Sequence, residues 1–192
     1  MLEKLINTKR VCPRWLCFTF DNPLRKIVHD PIAILSPYIQ QGDTAIDIGP
    51  GMGYFTIPLA ELVGSKGSVI AIDIQQKMLR ALMARAHKKG LSDRIKTHLA
   101  GPDSIGFNEK ADFILAFWMM HEVPDQHRFL SEIRNLMKSD GLFLLVEPVI
   151  HVSKKNFARA IETAKKLGFA IKEYPKIRMS QSVLFSCGKD DH

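Results

Sequence analysis

A glycine-rich segment, residues 47–53 (Asp-Ile-Gly-Pro-Gly-Met-Gly), constrains the fold of this chain more than any other feature. It follows a short apolar run, residues 44–46, and precedes a helical pattern over residues 54–63. Glycines let a backbone turn sharply and approach a ligand without an intervening Cβ. The helix that follows presents free N–H groups to the same space. The segment therefore predicts a strand, a ligand-binding turn and a helix in succession.

The spacing of the glycines distinguishes this turn from a dinucleotide fingerprint, which reads Gly-x-Gly-x-x-Gly. Here the glycines fall at 49, 51 and 53, and Tyr54 takes the position of a third dinucleotide glycine. The carboxylate of Asp47 would repel a pyrophosphate, whereas it suits a cationic group such as an amino-acid ammonium. Asp73 ends a second apolar run, where an acid in a βαβ unit accepts hydrogen bonds from ribose hydroxyls. An amino-acid head and a ribose together describe S-adenosylmethionine (SAM).

Residues 47–53 and the pair Asp73-Ile74 resemble the first two motifs of class I SAM-dependent methyltransferases. The resemblance covers about residues 40–187 and is to the small-molecule branch of that family. It implies SAM as cofactor, S-adenosylhomocysteine as product, and methyl transfer to an unidentified small-molecule acceptor. The further matching segments are residues 101–104 after a third strand, 112–117 as a fourth strand, 121–125 after it, and 136–142 before a fifth strand.

The cofactor contacts that this resemblance implies lie at or just after predicted strand ends. The glycine turn would hold the methionine portion, Asp73 the ribose, and residues 103–104 the adenine edge. Ligands of open α/β sheets bind at the carboxyl ends of the strands, so the positions of these residues support the assignment independently. The predicted cofactor-binding residues are Asp47, Gly49, Pro50, Gly51, Gly53, Asp73, Ile74, Met78, Pro102, Asp103, Ser104 and Phe117.

His121 and Glu122, just past the fourth strand, are the candidate catalytic residues. Methyl transfer mainly requires alignment, and a general base is needed only where the acceptor must lose a proton. His121 either takes that proton or caps a helix and fills the pocket wall. Glu122 is better suited to a structural role or to hydrogen bonding on the cofactor side than to the role of base. Glu147 points toward the ligand edge, with a helix-capping or loop role as the alternative.

Several other side chains are candidates for the cavity wall. Trp118 would lie either against the adenine or a flat substrate, or in ordinary packing. Cys12 and Cys17 lack a zinc spacing and a second ligand pair, so no metal is expected. Some arsenic-methylating relatives bind substrate through cysteines, but free thiols fit this chain better. The methionines expected to line the cavity are Met52, Met78, Met119 and Met120, although the helical spacing of Met78 and Met83 favours core packing for these two.

The remaining chain alternates strands and helices, which predicts an α/β, doubly wound sheet with helices on both faces. The resemblance implies seven strands, mostly parallel, with the last antiparallel, and the predicted strands at 169–173 and 182–187 fit that pattern. We expect one SAM-binding domain over residues 23–192 after a short N-terminal extension. That extension, residues 1–22, carries Trp15, Phe18 and Phe20 and is a candidate lid over the site.

Charge is unevenly distributed along the 192 residues, whose net charge is +7. Residues 43–150 hold 12 Lys and Arg against 13 Asp and Glu, residues 1–42 hold 6 against 3, and residues 151–192 hold 9 against 4. The basic ends are either solvated helix faces or a docking surface for an anionic partner. No basic run alternates with aromatics as in nucleic-acid platforms, which favours the first interpretation.

The composition limits the cellular locations and the classes of partner that we expect for the protein. No apolar stretch reaches membrane-spanning length, no signal peptide is recognisable, and three cysteines do not suggest a disulfide framework. We therefore expect a cytoplasmic protein with a small-molecule acceptor and no membrane partner, and the sequence does not predict the oligomeric state. The alternatives are an RNA or protein methyltransferase docking through its basic ends, a SAM-binding module without catalysis and, more distantly, a nicotinamide-dependent reductase.

Overall fold

The computed structural model describes residues 28–188. The candidate lid at residues 1–22, the helix expected from Pro23, and Cys12 and Cys17 lie outside the described residues. Within 28–188, strands and helices alternate from β1 onward as expected. The strands are β1 (Thr44–Ile48), β2 (Ser68–Asp73), β3 (Ile95–Leu99), β4 (Ala111–Phe117), β5 (Met137–Pro148), β6 (Phe169–Glu173) and β7 (Ser180–Cys187). The α-helices are α1 (Pro31–Leu35), α2 (Thr56–Leu62), α3 (Gln76–Lys88), α4 (Gln126–Leu136) and α5 (Lys154–Lys166), and short 3-10 turns cover Ser92–Arg94 and Met120–Glu122.

The seven described strands form one sheet in the order β3-β2-β1-β4-β5-β7-β6. Strands β1 to β5 pair in parallel, while β7 runs antiparallel to both β5 and β6. This confirms the predicted seven-stranded, mostly parallel sheet with an antiparallel last strand. The strand order reverses between β1 and β4, so the carboxyl ends of these two strands mark the place where such sheets bind ligands.

The core is divided into two apolar layers, one on each face of the sheet. Neighbouring side chains of a strand point to opposite faces; Ile46 of β1 therefore lies in one layer and Ala45 in the other. Helices α4 and α5 cover the first layer, and helices α1, α2 and α3 cover the second. The expected helices on both faces are thus confirmed. No helix among the described residues is long and apolar enough to cross a membrane.

Strand β5 begins at Met137, earlier than the expected start at residue 142. A register shift between Ala111 and Phe113 of β4 accompanies the added residues, which include Lys138. Lys138 Nζ donates to both carboxylate oxygens of Asp112 at 2.8 and 2.7 Å. A Cβ at Gly141 would meet Ala111 O at 2.9 Å. This close backbone approach and the ion pair extend the strand through a segment whose polar sequence predicts a turn.

Candidate functional site

A cavity of about 970 Å³ opens at the carboxyl ends of β1, β2, β4 and β5. This volume is at the upper end of the range for pockets that enclose a small ligand. Its lining includes both candidate catalytic residues and every predicted cofactor residue except Gly53. The fold therefore brings together side chains from the glycine turn, the end of β2, the loop after β3 and the loop after β4.

The glycine turn between β1 and α2 has a backbone that other residues adopt only with strain. Gly49, Gly51 and Gly53 have φ values of +70°, +55° and +88°. A Cβ at Gly51 would meet nothing within 4 Å, so this glycine leaves open space in the cavity wall. A Cβ at Gly53 would instead meet Leu82 Cγ of α3 at 3.0 Å. Gly51 thus shapes a cradle for a ligand, whereas Gly53 lets the turn pack against a helix.

Two buried carboxylates on neighbouring strands line the cavity. Asp47 of β1 is 2% exposed and accepts a hydrogen bond from Thr56 Oγ1 at 2.6 Å. Asp73 ends β2, is 9% exposed and accepts from the Gln75 N–H at 2.8 Å. Burial raises the pKa of Asp73 to about 6, although backbone N–H groups, including that of Gly51, partly oppose the rise. An acceptor for an ammonium and an acceptor for ribose hydroxyls are therefore both present, and the residues fit SAM.

The loop after β3 is held by Glu132 of α4, a residue that sequence reasoning missed. One carboxylate oxygen of Glu132 accepts from the Ile105 N–H at 2.6 Å and from Ser104 Oγ at 3.3 Å. Arg128 Nε donates to the other oxygen at 3.2 Å. These bonds fix the segment that carries Asp103. No local signal predicts them, because Glu132 lies 27 residues beyond Ile105 in the chain.

A short polar contact in the cavity joins His121 to Glu147 at the end of β5. Glu147 is 1% exposed; its Oε1 accepts from the Met120 N–H at 2.9 Å, and its Oε2 lies 2.6 Å from His121 Nδ1. This hydrogen bond raises the pKa of His121, and partial burial only partly opposes the rise. Glu147 therefore anchors the loop after β4 and orients the imidazole. The ring of His151, also in the cavity lining, stacks on His121 at a centroid distance of 5.7 Å.

Other predicted side chains divide between the cavity and the core. Trp118 lines the cavity in a left-handed conformation (φ +57°), and its Nε1–H donates to Ser180 Oγ at 2.9 Å. Met52 and Met119 line the cavity, and Met78 does so while only 1% exposed, so it also belongs to the core. Met120, by contrast, is buried in the layer under α4 and α5 and does not line the cavity. Among the described residues, no group of three or more His, Cys, Asp or Glu side chains could hold a metal ion.

Comparison with known proteins identifies the family. The family described as Methyltransferase domain matches residues 39–182, and the chain belongs to it. A solved SAM-dependent methyltransferase from Aquifex aeolicus superposes with a TM-score of 0.82 at 21% identity, over 91% of this chain and 98% of that one, and shows the same fold. The protein is thus a member of the class I SAM-dependent methyltransferases, and SAM is the cofactor of this family's site.

Two curated relatives indicate the branch of the methyltransferase family that this chain resembles. A demethylmenaquinone methyltransferase from Lactobacillus johnsonii is 28% identical over 144 residues, which are 71% of this chain and 59% of that protein. A demethylmenaquinone methyltransferase from Shouchella clausii is 30% identical over 162 residues, covering 79% of this chain and 67% of that protein. The chain thus spans about three fifths to two thirds of the length of these relatives. Both carry names that specify a small-molecule quinone acceptor, in line with the predicted small-molecule branch.

Proposed function

We propose that this protein transfers the methyl group of SAM to a small aromatic acceptor that carries an ionisable hydroxyl group. In this proposal His121 is the general base and Glu147 positions it. The observation that carries the proposal is the 2.6 Å contact between these two side chains inside the cofactor cavity. The names of the two demethylmenaquinone methyltransferases support an acceptor of the quinol type. The proposed setting is the cytoplasm, as expected from the few cysteines.

The cofactor residues have separate roles in this proposal. Asp47 would bind the ammonium of SAM, Asp73 the ribose hydroxyls, and Asp103 with Ser104 the adenine edge. Gly51 leaves room for the ligand beside the turn. When bound, SAM supplies a methyl group on a sulfonium, a good leaving group. The apolar contacts with the cofactor would come from other predicted residues of the lining, namely Pro50, Ile74, Met78, Pro102 and Phe117.

The His121 ring is held in a way that suits proton transfer. Because Nδ1 donates to the buried carboxylate of Glu147, Nε2 is the nitrogen that accepts the acceptor's hydroxyl proton. The imidazolium that forms is stabilised by the charge of Glu147. The acceptor is left as an oxyanion, which makes its oxygen or an adjacent ring carbon nucleophilic. The charge of Glu122 acts on Asp73 and also raises the pKa of His121, so Glu122 supports both the cofactor residue and the base rather than acting as the base itself.

The wall near His121 is apolar enough for an aromatic ring. Met119, Val123 and Ile150 line the cavity, as does Trp118, and each lies within three residues of His121 or of its stacking partner His151 in the chain. Apolar walls with a few placed polar groups are typical of pockets for small organic ligands. The acceptor ring would pack against these side chains and present its hydroxyl group to His121.

Steady-state transfer from labelled SAM to dihydroxynaphthalenes tests this function. We expect His121→Gln to lower kcat by about 100-fold to 10,000-fold, the range for loss of a general base, with SAM affinity changed by less than about twofold. Glu147→Gln retains an acceptor for the Met120 N–H but removes the charge that raises the pKa of His121. The pH-rate profile should therefore shift to lower pH, because the base is the neutral imidazole.

Glu61→Gln, at an exposed position on α2, is the matched control and should leave the profile unchanged. Full activity of His121→Gln, or a Glu147→Gln profile that stays in place, would refute the assignment of the base. No transfer to any aromatic acceptor, despite tight SAM binding, would instead favour a binding module. The position of the transferred methyl group, read by NMR of the product, distinguishes an oxygen acceptor from a carbon acceptor.

We also propose that residues 1–22 close over this cavity. The described chain begins beside the site, since the His29 ring lies 5.2 Å from Phe117 and 4.9 Å from Trp118, and Tyr54 Oη donates to His29 O at 2.7 Å. Deletion of residues 1–22 is expected to lower SAM affinity and turnover together. Unchanged values of both would remove the lid from the mechanism.

A further inference from the structure

The cavity mouth is bordered by a surface that combines exposed apolar side chains with cations. We name it the basic lip; it consists of residues 148–155, from the last residue of β5 onward, and residues 174–180, up to the first residue of β7. Together these residues include four Lys or Arg and no Asp or Glu. Their exposed apolar side chains are Val149 (50%), Ile150 (68%), Tyr174 (58%) and Met179 (52%), and the cations are Lys154, Lys155, Lys176 and Arg178.

The two segments of the basic lip are fixed to each other by hydrogen bonds. The Val149 N–H donates to Met179 O at 3.0 Å, and Gln181 Nε2 donates to Val152 O at 2.8 Å. Met179 has a φ of +56°, a conformation that glycine adopts without strain. The turn nevertheless carries a large apolar side chain, which it presents to solvent. The exposed apolar groups are therefore held outward by the fold.

The basic lip contributes residues both to the cofactor cavity and to a second groove. Ile150 belongs to the lining of the cavity. A second groove, of about 540 Å³, is lined by the cations Lys154, Lys176 and Arg178 together with apolar side chains that include Phe157, Ile161 and Tyr174. An apolar strip with a ligand cavity on one side and cations on the other is the arrangement found in proteins that lie on a lipid surface.

We propose that the basic lip docks on an anionic lipid surface, so that the cavity mouth faces the bilayer. Val149, Ile150 and Met179 would enter the interface, while the flanking cations would contact headgroup phosphates. Docking of this kind needs no membrane-spanning helix. The expectation of no membrane partner rested on the lack of an apolar stretch of spanning length, so that expectation does not oppose surface docking. A second copy of the chain is a poorer occupant, because a two-fold contact would place the four cations against one another.

This inference goes beyond the proposed function and does not depend on it, since lipid binding is measured without acceptor or turnover. The 192-residue protein is sedimented with vesicles of phosphatidylcholine alone or mixed with phosphatidylglycerol. We expect binding only to the mixed vesicles, with an affinity that falls as salt is raised. The double variant Lys176→Gln/Arg178→Gln should bind about 25-fold more weakly, at roughly fivefold for each cation removed.

Val149→Glu should weaken vesicle binding by about tenfold, because one apolar side chain no longer enters the interface. The matched controls are Lys88→Gln on α3 and Leu99→Glu on β3, at the opposite edge of the sheet, where Leu99 is 49% exposed. Both should bind vesicles within about twofold of the wild-type protein, and all variants should bind SAM with unchanged affinity.

Absence of binding to mixed vesicles, or an equal loss of binding in the controls, would overturn the proposal. Concentration-dependent self-association that Val149→Glu abolishes, without vesicle binding by the wild-type protein, would assign the surface to a second copy instead. Vesicle binding by a protein that shows no methyl transfer would leave the docking surface standing and refute only the proposed function.

Discussion

The Asp73→Asn substitution separates the stability of this fold from its capacity to bind the cofactor. Burial raises the pKa of Asp73 from 3.8 to about 6. An acid whose pKa is higher in the folded state than in the unfolded chain favours folding only while it is protonated. The stability that depends on protonated Asp73 is therefore fully present below pH 3.8, and it is lost as the pH rises through about 6. Near neutral pH, the ionised side chain destabilises the protein that lacks SAM.

The size of this effect follows from the pKa difference. Each pKa unit corresponds to about 1.4 kcal/mol, so ionised Asp73 lowers the free energy of unfolding by about 3 kcal/mol at pH 7. Asparagine has nearly the same shape and keeps an acceptor for the Gln75 N–H, but it loses the charge that the N–H groups of Gln75, Gly51 and Ile74 all stabilise. We therefore expect Asp73→Asn to be more stable than the wild-type protein by about 2 kcal/mol. For a domain of this size, the midpoint of thermal unfolding would rise by roughly 4 to 8 °C.

Cofactor binding should change in the opposite direction. A hydrogen bond from a ribose hydroxyl to a charged acceptor contributes about 1.5 to 3 kcal/mol, so Asp73→Asn should bind SAM about 10-fold to 100-fold more weakly. Saturating SAM would then stabilise the wild-type protein more than the variant, since ligand stabilisation depends on affinity. Thermal unfolding with and without SAM measures both effects, and calorimetric titration gives the affinities directly.

A pH series and a matched control make this prediction specific. The stability difference between Asp73→Asn and the wild-type protein should grow between about pH 4 and pH 6 and then level off. Asp140→Asn, at an exposed position, should change stability by less than about 0.5 kcal/mol at every pH. A variant less stable than the wild-type protein at pH 7 without SAM would refute the argument that burial of this charge opposes folding.

The remaining predictions concern the glycine turn. Gly51→Ala places a methyl group in the cavity wall at a φ of +55°, so we expect a stability loss of about 1 kcal/mol and a loss of SAM affinity of at least about tenfold. Gly53→Ala, whose Cβ would meet Leu82 Cγ at 3.0 Å, should lose more stability, about 2 to 3 kcal/mol, with a smaller change in affinity. Thermal unfolding and calorimetry on both variants test this division of roles, and equal losses of SAM affinity would contradict it.

Much of the fold follows from local signals in the sequence. The apolar runs that became β1, β2 and β4 lie within two residues of their predicted bounds, because each is buried on both faces and reads as a continuous apolar segment. Predicted site residues Asp47 and Asp73 lie at strand ends and line the cavity. The early start of β5 was missed, because it depends on contacts with β4 that a local pattern does not show.

The sequence by itself determined that the predicted cofactor residues lie together, because the glycine turn and its flanking acids are close in the chain and parallel strands bring their carboxyl ends to one edge. Only the tertiary structure decided which carboxylates form hydrogen bonds with the loops and with His121. Glu147 reaches His121 across 26 positions, and Glu132 reaches Ile105 across 27. The basic lip likewise exists only because β5 and β7 pair and bring residues 149 and 179 together. Contacts between distant segments depend on strand order and helix packing, which no spacing along the chain encodes.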